Sequence, residues 1–146
     1  MRDFIQNIKA LQDYINTEAL DDIGDEAVSH YKKSFRDEAF SDKSEKDMPW
    51  QEVKRRQGNK RKKRAANTRK ILTGDTGDLG RSIDYRKENR AVIITNPKIY
   101  AKVHNEGGKA GKTEFTMPKR QFIGPSLILN RKLKSRLTRN FKRILK

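Results

Sequence analysis

The sequence predicts an α+β domain: N-terminal helices and a C-terminal helix packed on a small, mainly antiparallel β-sheet, with a long basic loop between. Three observations predict it. Apolar residues recur at helical spacing near both ends, short strand-like runs bounded by turn residues fill residues 82–117, and a dense cationic block separates the two regimes. The 146 residues fit a single domain spanning 1–146. Hydrophobic residues make up 33% and charged residues 37%, so a modest core is expected, with ordered ends and a poorly ordered middle.

Phe4, Ile8, Leu11 and Ile15 lie on one stripe of an amphipathic helix. Leu20, Ile23, Ala27, Tyr31 and Phe35 form a second stripe. Asp21, Asp22, Asp25 and Glu26 crowd its first turns, where the helix dipole favours negative charge. Gly24 weakens that helix slightly without forbidding it. Two helices, or one bent helix, are therefore expected over residues 2–38.

Residues 41–70 read as a flexible polar and basic loop within the domain, with Trp50 its one large anchor. Its centre, from Lys54 to Arg64, has no apolar period and repels itself. Beyond Ile71 the chain turns β-like. Ser82 to Lys87 and Ala91 to Thr95 are strand candidates around a Glu88-Asn89-Arg90 turn, and Pro97 ends the second. Tyr100 to His104 fits a helical turn, and Thr113 to Met117 a third strand closed by Pro118. Gly124-Pro125-Ser126 opens a last helix, striped by Leu129, Leu133, Leu137, Phe141 and Ile144 and otherwise rich in Lys and Arg.

The formal net charge is +16 and is unevenly spread. Residues 1–52 carry −6, residues 53–70 carry +10 and residues 71–146 carry +12. An acidic front and a basic back suit polyanions or the acidic faces of other protomers. The absence of cysteine excludes disulfides and thiolate metal sites. The N-terminal residues lack the continuous apolar core of a signal peptide, and the longest apolar run, Ala91 to Ile94, is too short to span a bilayer. The protein reads as soluble, with no membrane partner.

Catalytic and cofactor signals are thin. The two histidines are His30 and His104. His104 has Glu106 two residues away, a conceivable general-base pair, but it reads better as a turn-forming or interface histidine. Gly74, Gly77 and Gly80 lack the Gly-Lys-Ser/Thr ending of a phosphate loop and are interrupted by Asp75 and Asp78, which would repel phosphate. No catalytic residue, cofactor or metal ligand is assigned. Lys54, Arg55, Arg56, Lys60, Arg61, Lys62, Lys63 and Arg64 are candidates for contact with DNA or an acidic partner. No aromatic interleaves them, which argues against sequence-specific recognition.

Three elements in the second half carry a resemblance. Ile71-Leu72, Thr76-Gly77-Asp78-Leu79 and Ser82-Ile83 form the first, with Thr73-Gly74 an alternative match three residues earlier. Tyr100-Ala101 and His104-Asn105-Glu106-Gly107-Gly108 form the second, and Pro118 to Ser126, with Arg120 and Phe122, the third. In this order, with Phe35 and Trp50 upstream, they resemble the phage virion morphogenesis family, related to Mu-type tail completion proteins, over roughly residues 20–130. The resemblance implies a non-enzymatic structural protein of a tailed bacteriophage or prophage, made in the bacterial host cytoplasm and then built into the tail or neck. Its partners would be other head, neck or tail proteins and further copies of itself, by analogy in a hexameric ring. Arg120, Phe122, His104, Glu106 and Trp50 are the expected interface residues. Glycines 77, 107 and 108 permit positive φ, and Arg120 offers a planar fork for a carboxylate or a backbone carbonyl. Phe122 and Ile123 read equally well as core. The rival reading is a non-specific nucleic-acid-binding protein that uses the basic run 54–70 and the basic C-terminal helix.

Overall fold

A computed structural model describes residues 2–57, 68–112 and 115–146. The run Lys60, Arg61, Lys62, Lys63, Arg64 lies outside the described residues, as does Thr113 of the third expected strand. Helix α1 (Arg2–Thr17) and helix α2 (Ala19–Asp37) meet at Glu18. Ladder β1 (Ala39–Phe40) with β2 (Met48–Pro49) follows, then the short helix α3 (Lys54–Gln57). A one-turn helix α4 (Asp78–Arg81) leads into the hairpin β3 (Asp84–Glu88) and β4 (Ala91–Thr95). Helix α5 (Ala101–Glu106), the ladder β5 (Gly108–Ala110) with β6 (Phe115–Met117), and the long helix α6 (Leu127–Ile144) complete the chain.

The α+β class holds, with one difference in kind. Among the described residues the three ladders are antiparallel and two-stranded, and they do not join into a single sheet. The joining layer is helix α2 instead. Its face Ala27, Tyr31 and Phe35 is buried against Phe40, Trp50, Ile71, Leu79, Ile83, Ala101, Phe122 and Leu129. Asn89 and Arg90 both take positive φ (46° and 64°), so the β3–β4 link is a two-residue turn whose twist matches that of the strands.

Gly24 sits where that hairpin crosses α2. A Cβ there would fall under 3.0 Å from the ring of Tyr85, whose hydroxyl donates to Asp21 at 3.0 Å. Replacing Gly24 by alanine gains about 1 kcal/mol of helix propensity but forces the ring away. The expected result in urea unfolding is a net loss of about 1–2 kcal/mol, because overpacking costs more than propensity returns.

Helix α1 has the predicted amphipathic pattern, yet the domain leaves most of its stripe uncovered. Phe4 is 68% exposed, Ile8 39% and Ile15 48%, while Tyr14 on the neighbouring face is buried. Tyr14 donates to Asp22 at 2.5 Å and packs edge-on against Phe141 of α6, with ring centroids 5.8 Å apart. Arg136 of α6 reaches both Asp22 (2.8 Å) and Glu26 (3.1 Å). The hydrogen bond from Tyr14, helped by Arg136, holds the Asp22 carboxyl below its ordinary 3.8. Part of the acidic front is thus neutralised by the basic back of the same chain.

No helix among the described residues is long and apolar enough to cross a membrane.

Candidate functional site

Segment 118–126 links β6 to α6 as a strap, pinned by the side chains of Asn105, Trp50 and Tyr31 and by backbone carbonyls that accept from the strap. Asn105, in α5, is the clamp. Its Oδ1 accepts from the backbone N–H of Phe122 and of Ile123, each at 2.9 Å, and its Nδ2 donates to the Ile123 carbonyl at 3.1 Å. The N–H of Arg120 donates to the carbonyl of His104 at 2.9 Å. Trp50 and Arg120 exchange bonds with each other's neighbours: Trp50 Nε1 donates to the Gln121 carbonyl at 2.7 Å, and Arg120 Nε to the Gln51 carbonyl at 3.1 Å. Further along, Tyr31 donates to the Gly124 carbonyl at 2.9 Å, and Ser126 Oγ to the Ser41 carbonyl at 2.7 Å. Ser126 also caps α6, accepting from Leu129 N–H at 3.1 Å, so Pro125 lies just outside the helix.

Phe122 is the apolar anchor of the strap, 1% exposed and tilted against Phe35 at 5.1 Å, with Trp50 edge-on to Phe35 at 5.4 Å. Gly107, at φ +76°, lets α5 turn under the strap. A Cβ there would come within 2.9 Å of the Lys119 backbone nitrogen, so only glycine fits without a shift.

The three resemblance-bearing elements converge on one cavity of about 430 Å³, lined by Leu72, Thr76, Leu79, Tyr100, His104 and Arg120 among others. An adjoining apolar cavity of about 470 Å³ shares Val53, Met117 and Arg120 with it, and half-exposed Phe115 belongs to its wall. Arg120 is buried, and that burial pushes its guanidinium below its ordinary pKa. His104 Nδ1 is buried without a hydrogen-bond partner, and burial, reinforced by Arg120, lowers its pKa. Glu106 is exposed at the end of α5. Among the described residues, no group of three His, Asp or Glu could hold a metal ion.

Of the sequence-predicted residues, Trp50, Arg120 and Phe122 are thus brought together inside the protomer, with His104 beside them. The opening of the basic run is also placed. Arg56 forms a two-pronged pair with Glu38 (2.5 and 2.9 Å), and its Nη2 donates to the Arg69 carbonyl at 2.7 Å. Arg55 donates to the carbonyls of Arg69 and Lys70 at 3.1 and 3.0 Å. Glu38 also accepts from Ile71 N–H at 2.6 Å, and the hydrogen bonds from Arg56 lead in holding its carboxyl below the ordinary 4.5. Lys54 is exposed. Sequence reasoning does not single out Asn105 or Glu38. The only signal for Asn105 is a short amide between His104 and a Gly pair.

His30 is buried between Tyr31 and Phe40, ring centroids 5.5 and 6.1 Å away, and desolvation holds its pKa below the ordinary 6.5. Nearby Lys132 acts in the same direction, and Glu45 opposes it. His104 is depressed likewise. As pH falls through 6.5 the unfolded chain takes up these protons before the folded one, so stability declines from there downward. The depressed carboxylates Asp22 and Glu38 contribute only near and below their ordinary 3.8 and 4.5. A His30→Phe variant should therefore show a flatter stability profile between pH 7 and pH 5 in urea titrations; an unchanged slope would exclude His30 as a source.

No curated protein and no solved structure matches this chain. The model of the phage virion morphogenesis family matches residues 5–142, nearly the whole of the fold just described. On that match, and with all three of its sequence elements meeting at the strap and its cavity, the chain belongs to the phage virion morphogenesis family.

Proposed function

We propose that this protein is a tail completion or head–tail joining component of a tailed phage or prophage, acting as a structural oligomer without catalysis. The observation that carries the oligomer is the uncovered stripe of α1, where Phe4, Ile5, Ile8 and Ile15 stand in solvent along one helix. A contiguous apolar face of this kind calls for a protein partner, and a neighbouring copy is the simplest one. In a closed ring the contact is head to tail between unlike surfaces. Since Asp22 and Glu26 already pair with Arg136 in the same chain, opposite charge is a smaller part of that contact than the sequence suggests.

The interface role read for the strap residues narrows accordingly. Trp50 and Phe122 hold the strap to the core, whereas Arg120 and His104 line the cavity, and Glu106 is exposed near it. A side chain from a neighbouring head, neck or tail protein is the proposed occupant of that cavity. Synthesis in the host cytoplasm and incorporation into the virion follow from the same reading.

Electron microscopy of lysates from a phage lacking this gene, beside a complemented control, tests the role. Separate filled heads and tails, or tails of abnormal length, are expected; intact infectious particles would refute it. Sedimentation of an Ile8→Glu/Ile15→Glu variant tests the surface independently. Loss of the oligomer is expected, and an unchanged distribution would remove α1 from the interface while leaving the virion role standing.

A further inference from the structure

Helix α6 carries two kinds of cation, and the fold separates them. Those facing α2 are engaged: Arg136 with Asp22 and Glu26, and Lys132 with Glu45 at 4.0 Å. Those on the outward side form no ion pair among the described residues, although Arg139 also borders the cleft lined by Glu18, Asp22 and Glu26. Lys134, Arg139 and Lys142 are exposed and have no carboxylate partner among the described residues. Together with Arg131, Ser135 and Thr138 they line a shallow trough of about 470 Å³ that contains no acidic side chain. Arg131 stands at its head, held in place by the carbonyl of Lys43 at 2.7 Å. No acidic residue follows Glu114 anywhere in the sequence.

We infer that this outward row of α6 binds the phosphate backbone of duplex DNA without regard to sequence. The spacing suits it. Arg131 to Lys142 covers about 16 Å of helix, close to the axial length of four or five phosphates at about 3.4 Å each along one strand. Hydroxyls at Ser135 and Thr138 lie between the cations, where they can donate to phosphate oxygens.

An acidic protein surface fits less well. Protein interfaces centre on aromatic or aliphatic anchors and are depleted of lysine. This trough has no apolar residue, and the exposed leucines Leu127 and Leu145 lie only at the two ends of the helix. Single-stranded nucleic acid fits less well too, since the row offers no aromatic platform for base stacking. The inference does not rest on the oligomer or the virion role, because one protomer carries the whole row.

The test is fluorescence anisotropy with a labelled 30-base-pair duplex, titrated with full-length protein between 50 and 200 mM salt. Two unrelated sequences should bind alike. The variant Lys134→Gln/Arg139→Gln/Lys142→Gln should keep the wild-type melting curve, since all three side chains are exposed. It should bind at least tenfold more weakly at 100 mM salt. Its slope of log affinity against log salt should be flatter by roughly 2–3, at about 0.9 for each phosphate that is no longer neutralised. A second variant, with Lys60, Arg61, Lys62, Lys63 and Arg64 changed to glutamine, separates the basic run from the helix. The inference is overturned if wild type fails to bind at 50 mM salt, if the helix variant binds like wild type, or if polyglutamate competes as well as DNA per unit charge.

Discussion

Truncating Phe122 to alanine lowers the free energy of unfolding by about 3–5 kcal/mol, the usual cost of removing a buried aromatic ring. Phe122 is 1% exposed and packs on Phe35, which itself meets Trp50, so the cavity would open in the middle of the aromatic cluster. Collapse of the surroundings is limited, because the backbone on both sides is tied down by Asn105, Trp50 and Arg120. Thermal unfolding followed by circular dichroism should show a melting temperature lower by roughly 6–20 °C. Phe122→Leu, which keeps most of the volume, should lose far less. A loss below about 1 kcal/mol for alanine would mean that the strap is not fastened to the core through this ring.

Asn105→Ala is expected to cost about 2–4 kcal/mol by a different route, since each partly buried group stripped of its partner costs about 1–3 kcal/mol and water recovers some of it. Loss of the side chain strands the N–H groups of Phe122 and Ile123 and the carbonyl of Ile123. Hydrogen exchange at those two amides reports the site directly and should accelerate more than exchange in α2. Asn105→Asp keeps the oxygen that both amides use but turns the donor toward Ile123 into a second acceptor facing its carbonyl, so it should restore the protection only in part. Equal damage from both replacements would show that the donation from Nδ2 to the Ile123 carbonyl, which aspartate cannot make, carries the clamp rather than the two bonds at Oδ1.

How far the sequence announces this architecture depends on the range of each interaction. The buried face of α2 is legible because Ala27, Tyr31 and Phe35 repeat at a local period, and the hairpin because its turn lies between adjacent strands. The start of α6 is legible from Ser126 for the same reason. The separation of the ladders is not, because nothing in a short run of alternating residues says which distant strand, if any, lies beside it. Periodicity shows that α1 is amphipathic, but not that its stripe stays uncovered. Gly24 reads as a weak point in a helix because the reason for it, Tyr85, lies in a strand far along the chain. Arg56 reads as part of a solvated charge run because Glu38 lies upstream, across the β1–β2 turn.

The hydrogen bonds of Arg55 and Arg56 to the carbonyls of Arg69 and Lys70 have a practical side. They fasten Arg55 and Arg56 to the backbone of Arg69 and Lys70, a gate between the two described chain segments that flank residues 58–67. Once the ends of a connection are fixed in this way, doubling its length costs only about 0.6 kcal/mol. Related phages should therefore tolerate frequent insertions and deletions between Gln57 and Thr68 while keeping both sides of the gate. For the same reason, an affinity tag or fluorescent label spliced in at that point would make a useful handle for following the protein through particle assembly.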